Sequence, residues 1–64
     1  MRYEVREGSQ SAHCCFSATV VDTTKPHILA DGKQYQDHCD SVCECFEVED
    51  AIKICAALNA AESV

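Results

Sequence analysis

Tryptophan is absent, proline occurs once and glycine twice, and five lysines and arginines face eleven aspartates and glutamates. So few bases exclude the phosphate-neutralising surface that direct binding to nucleic acid or to an anionic membrane requires. Two Phe and two Tyr without a Trp leave no set of aromatic platforms on which single-stranded bases could stack. No run approaches the roughly 18 apolar residues of a membrane span. The opening Met1-Arg-Tyr-Glu-Val-Arg has no apolar signal-peptide core, which points to a cytoplasmic chain with reduced thiols. A glycine-rich phosphate loop is missing too.

What remains is a chain of 64 residues carrying six cysteines and a formal net charge of −6. At that length a single domain, residues 1–64, is expected. It buries only about 60% of the surface its unfolded form exposes, so it needs help from metal, disulfide, self-association or close packing. There is no internal repeat, low-complexity segment or linker.

Periodicity supplies the element order. Tyr3 and Val5 alternate with charged neighbours, the period of a half-buried strand. Gly8 to Ser11 reads as a turn. From His13 to Asp22 a second strand puts Cys14, Phe16, Ala18 and Val20 on one uniformly apolar face, expected to meet the core. Asp22-Thr-Thr-Lys-Pro26 reads as a breaker, because Pro26 cannot donate to a central ladder. A small third and fourth strand then flank Asp31-Gly32, a dipeptide suited to the positive φ angles of a tight hairpin turn. Ser41 to Phe46 is a short last strand with Cys43 and Cys45 facing inward and Glu44 outward. From about Glu47 to Glu62 the period becomes helical, with Val48, Ala51, Ile52, Cys55 and Leu58 in one stripe and Ile54 at its edge. The expected fold is α+β: an antiparallel sheet of three to four strands with one C-terminal helix packed on one face.

The segment from Cys39 to Cys55, CDSVCECFEVEDAIKIC, contains four of the cysteines. A zinc site needs four Cys or His donors, usually in two close C-x2-C knuckles. His13, Cys14, Cys15, His38, Cys39, Cys43, Cys45 and Cys55 supply enough donors, but C-x3-C-x-C and Cys-Cys do not match that spacing. A structural zinc module built on His38, Cys39, Cys43 and Cys45 is the alternative reading. The favoured reading makes Cys14, Cys43, Cys45 and Cys55 small buried hydrophobes, since strand or helix period marks all four as core. Cys15 and Cys39 then lie nearer the surface, and their pairing is open. His13-Cys14 and His38-Cys39 make no nucleophile–base dyad, because neighbours in an extended segment point to opposite faces. Asp37 and Asp40 would also raise the pKa of Cys39. No catalytic residues and no cofactor are expected.

Between Gln34 and Ile52 stand Asp37, Asp40, Glu44, Glu47, Glu49 and Asp50, without one Lys or Arg. Solubility and complementarity to the helix dipole account for part of this. The sharper reading is a partner-binding patch, in which spaced carboxylates imitate a row of phosphates and draw in a basic groove.

The ending Val42-Cys-Glu-Cys-Phe-x-x-Glu-Asp-Ala-x-x-Ile-x-x-Ala-Leu-Asn59 resembles that of short accessory proteins encoded by phages and prophages. The likeness covers about the last third of the chain, with echoes in Tyr3-Glu-Val and the Cys-Cys-Phe segment. In size and charge the chain also resembles small acidic phage inhibitors, including anti-CRISPR proteins. The resemblance implies a non-enzymatic factor acting in the host cytoplasm on a host protein with a basic, nucleic-acid-binding surface. It carries no active site over. Glu47 stands where Ser or Asp would be the better helix N-cap. The small residues Ala56, Ala57 and Ala60 on the outer helix face would admit a second copy, so a homodimer is a further expectation.

Overall fold

The computed structural model describes residues 1–7 and 15–62. It contains strands β1 (Tyr3–Glu7), β2 (Ala18–Ile28) and β3 (Gln34–Cys45) and one helix, α1 (Val48–Glu62). The strands form one antiparallel sheet in the order β1-β2-β3. The α+β architecture expected from the sequence is therefore the observed one, with three strands. The expected turn at Gly8 to Ser11 and the expected positions of His13 and Cys14 lie outside the described residues.

The core is small. Ala18, Val20, Cys45, Ala51 and Cys55 are buried together, and Tyr3, Val5, Cys43, Val48 and Leu58 pack against them. Register explains this set, since Val5 pairs with Val20, Val20 with Cys43 and Ala18 with Cys45. Paired residues across a sheet share a face, and this face receives α1. Thr19 and Val21, on the opposite face of β2, are also fully buried. Burial of that second face was not expected from alternation alone. On that face Thr19 is tied to β3: its hydroxyl donates to the Cys43 carbonyl at 2.8 Å and lies 2.6 Å from the Ser41 hydroxyl.

Three expectations are corrected. Phe16 lies before β2 and stacks on Phe46 with ring centroids 4.7 Å apart, outside the core cluster. Ile52 is 55% exposed, so the buried line of α1 runs through Ala51, Cys55 and Asn59. Finally, the separate third and fourth strands do not exist. Beyond Asp22 the chain stays extended to Ile28, and the last strand begins at Gln34.

Proline is tolerated inside β2 because the ladder is broken around it. Asp22 pairs with Asp40 and Pro26 with Cys39, leaving three residues of β2 opposite none of β3. β1 pairs no further than Asp22, so Pro26 also sits where one side of β2 is open. A bulge and an open side are where a residue without an N–H is accepted in a sheet. Between Pro26 and Ile28 the excess lies on β3, where Gln36 takes a positive φ of 51°.

At the hairpin tip Gly32 has φ 83° and donates to the Leu29 carbonyl, while the Leu29 N–H donates to Lys33. Asp31 Oδ1 accepts from the Lys33 N–H at 2.9 Å. Only Gly32 of the Asp31-Gly32 pair adopts positive φ. The turn is thus a three-residue loop with a glycine bulge rather than the two-residue turn expected.

Two long-range ties close the sheet against the helix. The Thr23 N–H donates to the Arg2 carbonyl, so alternation turns the N–H and C=O of Tyr3 away from β2. The Asn59 amide takes both: its Oδ1 accepts from Tyr3 N and its Nδ2 donates to Tyr3 O, each at 3.0 Å. A side chain of α1 thereby occupies part of the β1 edge. Arg2, in turn, forks onto the buried Asp22 and reaches Glu62 near the end of α1.

Candidate acidic interface

β3, the junction at Glu47 and the first turn of α1 carry all six carboxylates singled out in the sequence. Their surroundings differ. Asp37 is almost fully exposed, its carboxylate 3.7 Å from Arg6 Nη1, which also donates to the Asp37 carbonyl at 3.0 Å. Asp40 is half-exposed, with His27 Nδ1 at 3.7 Å. Glu44 pairs in register with Thr19 on the face away from α1 and is half-buried. Glu47, Glu49 and Asp50 are exposed together where the chain leaves β3 and enters α1.

The structure therefore gathers Glu47, Glu49 and Asp50 within one turn and leaves Asp37 and Asp40 farther along β3. From Asp40 to Cys45 the strand runs about 17 Å at its usual rise. Glu47 occupies the N-cap position, since its carbonyl accepts the first helical hydrogen bond, from the Ala51 N–H at 3.3 Å. Glu49 and Asp50 lie in the first helical turn, where the helix dipole favours each by roughly 0.3–1 kcal/mol. Part of this acidity thus serves the helix itself.

The basic residues are distributed the opposite way. Arg2 is engaged by Asp22 and Glu62, and Arg6 by Glu4 and Asp37. Lys25 and Lys33 lie on the β2–β3 hairpin. Lys53, exposed on α1 four residues after Glu49 and three after Asp50, is the one base within a helical turn of that acidic start.

Asp22, which the sequence places in a breaker, is a buried carboxylate that holds the fold together. It accepts from Arg2 Nε and Nη2, from the Thr24 N–H at 3.0 Å and from the Thr24 hydroxyl at 2.6 Å. Arg2 first, then Thr24, hold its carboxyl well below the usual carboxylate range, against the opposing effect of burial. The signal was present as Asp-x-Thr, a local hydrogen-bonding motif, but its arginine lies 20 residues away. Asn59 was missed because a polar residue on a helix reads as solvent-facing.

The thiols divide as expected where they are described. Cys45 and Cys55 are buried, Cys43 is half-buried against the core, and Cys15 and Cys39 lie nearer the surface. The Cys55 thiol donates to the Tyr3 carbonyl at 3.3 Å and accepts from Asn59 Nδ2 at 3.5 Å. Burial, reinforced by the neighbouring Cys45, pushes the Cys43 thiol above the ordinary cysteine value, which disfavours the thiolate a nucleophile needs. Among the described residues no group of three or more His, Cys, Asp or Glu converges to hold a metal ion. The set His38, Cys39, Cys43 and Cys45 is strung along β3: Cys39 pairs with Pro26 and Cys45 with Ala18. His38 meets Tyr35 edge-on at 4.8 Å between ring centroids.

Comparison with known families, curated proteins and solved structures yields no match. The chain's own geometry is what its function must be argued from. Among the described residues, no helix is long and apolar enough to cross a membrane.

Proposed function

We propose that this chain is a non-enzymatic binding protein of the phage accessory kind. It acts in the host cytoplasm by covering a basic, nucleic-acid-binding surface of a host protein complex, as an acidic inhibitor would. The observation that carries this reading is the exposed trio Glu47, Glu49 and Asp50, continued by Asp40 and Asp37 along β3. The formal net charge is −6, and five carboxylates of this segment, Asp37, Asp40, Glu47, Glu49 and Asp50, are exposed. A Lys/Arg groove is attracted to such a surface mainly through faster, salt-dependent association.

The test is capture of the host complex from lysate, followed by binding kinetics with the purified partner at rising salt. Binding should weaken with ionic strength, and Glu47→Gln/Glu49→Gln/Asp50→Asn should slow association more than Asp37→Asn/Asp40→Asn does. Those two β3 carboxylates have a nearby Arg and His. Salt-independent binding, or equal binding by the neutralised triple variant, would show that another face makes the contact.

A further inference from the structure

We propose that Cys43 and Cys45 form a two-thiolate site for a soft monovalent cation, with copper(I) as the chemical type. The two residues alternate on one strand and pair with Val20 and Ala18, so both side chains point to the face that carries α1. Both side chains therefore leave β3 on the same side, two residues apart. Cys45 is 6% exposed while Cys43 is half-open to solvent, giving an ion an entry from one side and an apolar wall on the other.

Strand geometry separates this use from a disulfide. Residues two apart on a strand stand about 6.6 Å apart. That is near the upper limit for the Cα atoms of a bridge, and their parallel Cβ atoms are far beyond the about 3.8 Å a bridge needs. An ion inserted between the sulfurs adds two bonds of roughly 2.3 Å each, by analogy with zinc thiolates. That longer span suits residues two apart on a strand better than a disulfide does. Thiolate donors select soft ions such as copper(I), and two donors suit an ion content with two ligands better than zinc, which takes four. Binding is a simple exchange: two S–H protons leave to solvent, two Cu–S bonds form, and no electron is transferred. The proposal is independent of the acidic surface and of its partner.

The experiment uses the full chain, reduced and kept free of oxygen, titrated with copper(I) buffered by the chromophoric chelator bicinchoninate. One equivalent should be withdrawn from the chelator. Alkylation by N-ethylmaleimide with and without copper(I), mapped by peptide mass, should show protection at Cys43, the more open of the pair, and none at Cys15 or Cys39. Cys43→Ser and Cys45→Ser should each weaken binding by at least roughly 100-fold, the upper end of what loss of a supporting contact costs a metal site. Cys15→Ser and Cys39→Ser should leave it intact. Failure to compete with the chelator, or protection that maps to other cysteines, would overturn the proposal. The mapping is made on the native chain, so it decides the matter even where a serine variant does not fold.

Discussion

Asp22 accepts hydrogen bonds from the Arg2 guanidinium and from both the backbone and the hydroxyl of Thr24. Its carboxyl titrates lower in the folded chain than in the unfolded one. Its contribution to stability is therefore complete above the ordinary carboxylate value, about 4, and is lost as pH falls through the lower folded value. Urea unfolding followed from neutral pH down to strong acid should show this loss, and Asp22→Asn should give a lower plateau with a shallower acid limb. Asn59 is the second residue on which the packing turns. Asn59→Ala leaves the Tyr3 N–H without its partner and the Tyr3 carbonyl with only the Cys55 thiol, and should cost about 1–3 kcal/mol, read as a lower urea midpoint at unchanged slope. Neither role was legible in the sequence. Arg2 and Asp22 are 20 residues apart, and Tyr3 and Asn59 are 56 apart.

Elements were more legible than contacts, because alternation and helical period are local properties of the chain. β1, the Ala18 and Val20 face of β2, the inward cysteine pair of β3 and α1 all lie where period placed them. The largest departure is at Pro26. A proline reads as a strand end, yet here it sits in a bulge on the open side of β2, a circumstance set by how far β1 extends. Two predictions belong at this scale. Glu47 is the N-cap by its carbonyl, and its side chain is a poor capping group; Glu47→Asp should stabilise α1 by about 1 kcal/mol. That variant keeps the charge, so partner binding should not fall with it. At the hairpin tip a Cβ on Gly32 would meet nothing within 4 Å, so the cost of Gly32→Ala comes from the left-handed backbone alone, about 1–2 kcal/mol. Thermal melts of the two variants should move in opposite directions.

The whole molecule is thin, with Cα extents of 34 × 31 × 12 Å, one helix on one small sheet. Large apolar side chains at Phe46, Ile52 and Ile28 remain more than half exposed. So limited a core predicts an unfolding free energy of only about 3–5 kcal/mol, measurable by urea at neutral pH. A value well above this would mean that a bound ion or a second copy contributes. Of the acidic segment, composition disclosed the charge and the absence of bases, but the division into an exposed trio and carboxylates near Arg6 and His27 depended on the folded arrangement.

Period and composition, read along the chain, determined the α+β class, the strand-to-helix order, the inward cysteines and the acidic bias. They can do so because each depends on residues a few positions apart. The continuous β2–β3 hairpin, the burial of both faces of β2, the Arg2–Asp22 fork and the Asn59 grip on β1 were decided only in three dimensions. Each joins groups far apart in sequence, and a partner at that distance exists for a side chain only once the sheet has formed.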